Sequence, residues 1–166
     1  MWSNRKTWSF FLFVFLFLST LSLAQKAGAE EAFLFTAKEA EQLRHTEGEW
    51  EVFQTTRASS DGPRVLVQRP ELKGTKDDPL IETASPVDLF VTIEKNKAPV
   101  DMESLEIKAK KGWFSQSLTK KLRPYIQGTV IEAKGIKVPS GKFIIQITIS
   151  DSDGAKTIAA YRLRVE

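Results

Sequence analysis

The sequence contains no cysteine among its 166 residues. This absence excludes disulfides, thiol catalysis, cysteine-based metal sites and redox chemistry at sulfur. It also excludes a lipid-modified amino terminus, because that modification requires a cysteine after an apolar leader. The apolar core alone must therefore hold the fold together.

Histidine is nearly as scarce, since His45 is the only one in the chain. It lies in the N-terminal segment just after a short predicted helix, which argues against a Ser-His-Asp arrangement. The stretch Ser117-Leu118-Thr119-Lys120 matches the S-x-x-K pattern of serine acyl-transfer enzymes. Those enzymes need a large helical framework and companion motifs, and the sequence has neither. We therefore predict that the protein is not an enzyme.

Motifs for cofactors and metals are also missing. The sequence has no G-x-G-x-x-G, Walker loop or H-E-x-x-H pattern, and no N-x-[ST] glycosylation site. Asp151-Ser152-Asp153-Gly154 resembles the start of a calcium loop, but Arg162 stands at the twelfth position, where an EF-hand needs glutamate. This stretch is therefore expected to be a hairpin turn, and we predict neither a cofactor nor a metal.

The first 29 residues have the layout of a secretory signal peptide. Arg5 and Lys6 precede an apolar run at residues 10–23, and small residues allow cleavage after Ala24 or Ala29. The alternative is an uncleaved membrane anchor. The run is shorter than the roughly 20 apolar residues that a spanning helix needs, so we predict cleavage and no stable membrane span afterwards.

Removal of this signal changes the charge balance. Without Arg5 and Lys6 the 24 basic residues become 22, against 21 acidic residues. The nominal isoelectric point of about 9.1 is then a weak argument for binding nucleic acid, and no nucleic-acid partner is predicted. What remains, about 140 residues, is enough for one domain with a substantial core.

Residues 30–61 show no strand pattern. Thr36 followed by Glu39 is typical of a capping box and predicts a short helix that ends near Arg44. Such a helix is marginal alone, so it either docks on the domain or stays mobile. Residues 48–62 have the composition of a linker that ends in the turn-forming sequence SSDGP. The acidic residues before and within it are expected to be solvated: Glu47, Glu49 and Glu51.

From residue 64 onward the apolar period becomes two, which indicates β-strands. Strands are predicted at 65–67, 80–83, 87–94, 105–110, 129–133 and 136–138, the last two on either side of Lys134-Gly135. The clearest signal is a closing hairpin around the turn Asp151-x-x-Gly154. Its predicted core-facing residues are Phe143, Ile145, Ile147 and Ile149, then Ala159, Tyr161, Leu163 and Val165. About seven short strands predict an antiparallel all-β sandwich.

The closing hairpin also resembles that of bacterial immunoglobulin-like and fibronectin-type-III-like domains. The residues that carry this resemblance are PSGKF at 139–143, the alternating run to Ile149, Asp151-x-x-Gly154, and a last strand that ends in YRLRV. The resemblance extends loosely over residues 62–166. It implies an immunoglobulin-like sandwich with an adhesive, spacing or ligand-presenting role.

One segment of this domain is strongly basic. Residues 108–123 hold no acidic side chain and contain six cations, interleaved with Trp113 and Phe114 and followed by Tyr125. Cations beside aromatic rings suit phosphate, sulfate or uronate groups of an envelope polymer. The candidate ligand-binding residues are Lys110, Lys111, Trp113, Lys120, Lys121 and Arg123.

A structural interpretation of the same segment stays open. Phe114, Leu118 and Leu122 are spaced four residues apart, as on the buried face of a short helix that Pro124 ends. Trp113 and Tyr125 would also point inward, and Ser115 or Ser117 would cap the helix. On this interpretation the segment is a short helical insertion that covers the sandwich.

Together these features predict a non-enzymatic module that is exported to the periplasm or the cell exterior. Its expected role is binding or structural, with an envelope protein or an anionic envelope polymer as partner. The alternative is an accessory or inhibitory domain that regulates an extracellular enzyme system.

Overall fold

The computed structural model describes residues 32–51, 61–75 and 77–166. The predicted signal peptide and its cleavage sites lie outside the described residues, as does most of the predicted linker. None of the described helices is long and apolar enough to cross a membrane.

The described part of the chain contains ten strands in two sheets. A four-stranded sheet has the order β1-β4-β8-β7, and a six-stranded sheet has the order β2-β3-β10-β9-β5-β6. The strands are β1 (Arg64–Arg69), β2 (Leu72–Thr75), β3 (Asp78–Thr83), β4 (Val87–Glu94), β5 (Val100–Lys111), β6 (Phe114–Ser117), β7 (Ile126–Gln127), β8 (Val130–Ile136), β9 (Gly141–Asp151) and β10 (Lys156–Val165).

Three short helices accompany the sheets in these residues. They are α1 (Ala37–Leu43), α2 (Glu47–Glu51) and α3 (Thr119–Leu122), and a 3-10 turn at Arg123–Tyr125 follows α3. Pro124 lies in that turn, where its missing N–H removes no helical hydrogen bond.

The core lies between the two sheets and confirms the predicted all-β sandwich. Alternate residues of both sheets point into it, among them Val91 and Ile131 from one sheet and Phe143, Ile147 and Leu163 from the other. This alternation follows from the pleat, which sends successive side chains to opposite faces.

The closing hairpin is present, and all eight of its predicted core-facing residues are buried in the core or packed against it. Ile147 pairs with Ala159, and Phe143 pairs with Leu163. Asp151 is buried at the turn, where its Oδ1 accepts hydrogen bonds from the backbone N–H groups of Asp153 (3.1 Å) and Ala155 (2.8 Å). The carboxylate therefore has a structural use in the turn.

The sandwich differs from the prediction in three respects. The described residues form ten strands rather than about seven. β3 pairs with β10 in parallel, so the larger sheet is mixed rather than purely antiparallel. The two strands predicted around Lys134-Gly135 are one continuous strand, β8. Gly135 adopts φ +66 at the point where the pairing of β8 with β4 shifts register, and its N–H donates to Asp88 Oδ1 at 2.8 Å.

The N-terminal segment packs on the sandwich. Thr36 and Glu39 form the predicted capping box of α1, and Leu43 and Phe35 are fully buried. The predicted linker is wrong at its beginning, because α2 occupies residues 47–51. There are two physical reasons. Thr46 and Glu49 form reciprocal hydrogen bonds at the start of the helix, and the burial of Trp50 stabilises a helix too short to form alone.

Candidate functional site

The β5–β6 hairpin carries half of the candidate binding residues. Lys111 pairs with Phe114, and Lys108 pairs with Ser117, so Gly112 and Trp113 form the tip. Gly112 has φ +56, a conformation that glycine adopts without strain. The prediction of a helix from Phe114 is wrong, because residues 114–117 form β6 at the edge of the six-stranded sheet.

The helical insertion is therefore shorter than predicted. It begins at α3, whose N-cap is Leu118 without a side-chain hydrogen bond, so neither Ser115 nor Ser117 caps it. Leu118 and Leu122 are buried as expected. A spacing of four residues fits one continuous helix, which the pattern predicted. It also fits a strand residue followed by a helical turn, which is what the structure shows.

Trp113 is the most exposed large hydrophobic side chain among the described residues. It is 97% exposed, so the interpretation that turned it inward is wrong. Its ring meets Phe114 edge to face at 6.4 Å between centroids. Phe114 is half-buried and packs against the core, so the indole of Trp113 contacts a ring that is held in place.

The two lysines before the tip are held by the protein itself. Lys111 Nζ donates to the carbonyl oxygen of Arg44 at 2.7 Å and lies 3.7 Å from Glu49. Lys110 Nζ donates to the Gln146 side-chain oxygen at 3.2 Å. Both ammonium groups are therefore positioned near the hairpin, although neither is fully buried.

The other three candidate cations lie at the opposite end of β6, on α3 and the turn after it. Lys121 Nζ donates to Glu39 Oε2 at 2.8 Å and to the Leu34 carbonyl oxygen at 3.1 Å. The hydrogen bond from Lys121 is the main cause that holds the pKa of Glu39 below its usual value. Lys120 and Arg123 are exposed and contact no acidic group in the described part of the chain.

The six candidates thus form two groups rather than one cluster. Lys110, Lys111 and Trp113 lie at the hairpin tip, while Lys120, Lys121 and Arg123 lie beyond the far end of β6. Their segment lacks acidic residues in sequence, but α1 and α2 bring Glu39 and Glu49 to it in space. The sequence alone did not reveal this pairing, because the partners are more than 60 positions apart.

The structure also contains a second cluster of cations, which the sequence analysis did not predict. Lys142, Arg162 and Arg164, here called the basic triad, point outward from neighbouring strands β9 and β10 and surround the Trp50 ring. Burial, followed by the charge of Arg164, lowers the pKa of Lys142. The signal that could have found the triad is the alternation of cations with buried residues at the start of β9 and the end of β10.

His45 has a structural position beside this cluster. Its ring Nε2 lies 2.8 Å from the Lys110 carbonyl oxygen, and its backbone N–H donates to the Lys142 carbonyl oxygen at 2.9 Å. These contacts hold the connection between α1 and α2 against β5 and β9 of the larger sheet.

The interior offers an apolar cavity of about 80 Å³ between the sheets. Tyr161 is among its lining residues, and burial raises the pKa of this tyrosine to about 12, so the phenol stays neutral. The described residues contain no group of three or more His, Asp or Glu side chains suited to a metal ion.

No protein-family model matches the chain, and no curated protein is significantly similar to it.

Proposed function

We propose that this chain is an exported, non-enzymatic immunoglobulin-like module with a binding role in the cell envelope. The signal-like leader supports export to the periplasm or the exterior. Two packed sheets and a closing hairpin with an Asp-x-x-Gly turn support the immunoglobulin-like assignment.

The observation that carries the proposal is the exposure of Trp113. An indole that is 97% exposed contributes little to the fold, since nearly all of its apolar surface stays in water. Tryptophan is also the residue type most enriched at the energetic centres of interfaces. β5 and β6 hold it on a paired hairpin, so little conformational entropy is lost when it binds.

The charges beside Trp113 indicate the class of partner. Lys110 and Lys111 lie at the same end of the hairpin. The Lys110 ammonium donates to the Gln146 side-chain oxygen, and the Lys111 ammonium donates to the Arg44 carbonyl oxygen and lies 3.7 Å from the exposed Glu49 carboxylate. An indole next to cations suits a polymer that carries acid groups on rings, such as a polyuronate. An anionic envelope polymer is therefore the proposed ligand, and an acidic surface of an envelope protein would use the same contacts.

Truncation of Trp113 tests this proposal. Trp113→Ala should weaken binding to polygalacturonate or poly(glycerol phosphate) at least ~10-fold, because buried tryptophans carry much of an interface's binding free energy. Binding is measured at low ionic strength by isothermal calorimetry. The free energy of unfolding should stay within about 0.5 kcal/mol of wild type, since the site is on the surface.

Matched variants separate a specific site from general charge attraction. Leu72→Ala removes another exposed apolar side chain, on edge strand β2, and should bind like wild type. Lys110→Gln with Lys111→Gln should weaken binding more than Lys120→Gln with Arg123→Gln, although both pairs remove two charges. Equal losses, or no polymer affinity in wild type, would contradict a binding site at the hairpin tip.

A further inference from the structure

The outer face of the six-stranded sheet presents the basic triad in a compact arrangement. Arg164 pairs with Lys142 across β10 and β9, and Arg162 lies two residues before Arg164 on the same face of β10. Three cations on neighbouring positions repel one another, so the face needs anionic or aromatic groups to be stable.

Strand β3 provides part of this charge compensation. Asp78 forms an ion pair with Arg162, and Glu82 accepts a hydrogen bond from Arg164 at 2.8 Å. Both acids belong to a strand of the same sheet, so they stay in place whatever covers the face. Lys142 has no such partner on the sheet.

The rest of the compensation comes from α2. The Trp50 ring centroid lies 4.6 Å from Arg162 Cζ, 4.8 Å from Arg164 Cζ and 5.2 Å from Lys142 Nζ. Glu47 forms an ion pair with Lys142 and lies 3.7 Å from Arg164. The triad is therefore occupied by an indole and a carboxylate from one short segment.

The contacts between α2 and the basic triad leave several polar atoms without a partner. The Nε donors of Arg162 and Arg164 and the indole Nε1 of Trp50 are buried without a hydrogen-bond partner. The Glu47 side chain is 62% exposed, and α2 has only five residues. A helix of this length has little stability of its own, so its contacts with the sheet must hold it.

We infer that the basic triad is a docking site for an acidic polypeptide segment with an aromatic residue, and that α2 is its internal competitor. Carboxylates of the partner would supply the acceptors that the arginine Nε groups lack, and its ring would take the place of Trp50. A polypeptide is favoured over a polysaccharide because the present occupant combines both groups on one backbone. The site is distinct from the Trp113 hairpin and does not depend on its function.

A peptide supplied in trans tests the inference. The probe is a fluorescein-labelled peptide with the sequence of residues 46–51, TEGEWE, and the measurement is fluorescence anisotropy with the purified protein. Wild type should bind it weakly, because the tethered α2 competes at an effective concentration in the millimolar range. The variant Glu47→Gln with Trp50→Ala should bind at least ~10-fold more tightly.

Further substitutions show which side chains the gain in peptide binding depends on. Glu47→Gln alone, which keeps Trp50 packed, should give a smaller gain in the same direction. Addition of Arg164→Gln to the double variant should abolish the gain, whereas addition of Lys120→Gln, on α3, should preserve it. Circular dichroism melting checks that each variant is folded.

Two results would overturn the inference. One is the absence of any gain in folded variants that lack the internal contacts. The other is equal binding of polygalacturonate and TEGEWE to the double variant, which would show that the face attracts charge without recognising a polypeptide. Trp113→Ala should leave the peptide measurement unchanged, so failure here and failure of the hairpin site are distinguishable.

Discussion

Replacement of Phe35 by alanine is expected to lower the free energy of unfolding by about 3–5 kcal/mol, as for other buried phenylalanines. Phe35 is fully buried and stacks on Phe143, with 4.9 Å between ring centroids and 26° between ring planes. Its loss removes apolar contacts and leaves a void that two sheets cannot close. Chemical denaturation followed by circular dichroism measures the change.

Phe33 provides the matched control two positions earlier. It is 49% exposed, and its ring has one cation–π contact, with Lys137 Nζ at 5.6 Å from the centroid. Phe33→Ala should therefore cost less than about 1 kcal/mol. Equal costs at the two positions would mean that the N-terminal segment does not pack on the sandwich as described.

Replacement of Ile147 by alanine is expected to cost about 2–5 kcal/mol. Ile147 lies in β9 between β5 and β10, pairs with Ile107 and Ala159, and lines the apolar cavity. Deletion of its side chain enlarges a void that already exists, and the cost of such deletions grows with the remaining cavity volume. Thermal and urea unfolding measure this loss.

Ile158 is the control for the register of the hairpin. It is half-buried in β10 and points to the opposite face from Tyr161, so Ile158→Ala should cost only about 1 kcal/mol. A one-residue slip would exchange the faces of every side chain in the strand. A larger loss at Ile158 than at Ile147 would reveal such a slip.

The strands were predictable from sequence because apolar and polar residues alternate along a half-buried strand, and this alternation is visible in the local sequence. The residues from Phe143 to Ile149 and from Ala159 to Val165 show which side faces the core without knowledge of any partner. The capping box at Thr36 and Glu39 is equally local, since both residues contact each other within one helical turn.

Part of what sequence reasoning missed was local, because Thr46 and Glu49 bond to each other at the start of α2 as Thr36 and Glu39 do at the start of α1. The rest depends on long-range contacts. The burial of Trp50 requires cations on β9 and β10 that lie about 90 or more positions away, a relation that no local pattern encodes. The parallel pairing of β3 with β10 likewise joins distant segments. The spacing of Phe114 to Leu118 predicts a helix, but the same spacing also fits a strand that leads into a helix.

The candidate binding residues were predictable only as residue types. Composition indicated cations and aromatics together, but the structure divides them between the hairpin tip and α3. Trp113 is exposed because it lies in the tight turn at Gly112. The sequence pattern alone was also compatible with an inward-facing Trp113.

The most direct test of the central claim uses Trp113 as its own reporter. Signal-peptide cleavage would remove Trp2 and Trp8, so Trp50→Phe leaves Trp113 as the only indole of the mature protein. Its fluorescence is followed while anionic polymer extracted from the native envelope is added. We predict that the emission shifts to the blue and that acrylamide quenching falls as polymer binds. Binding detected by sedimentation with no change in Trp113 emission or quenching would contradict the claim.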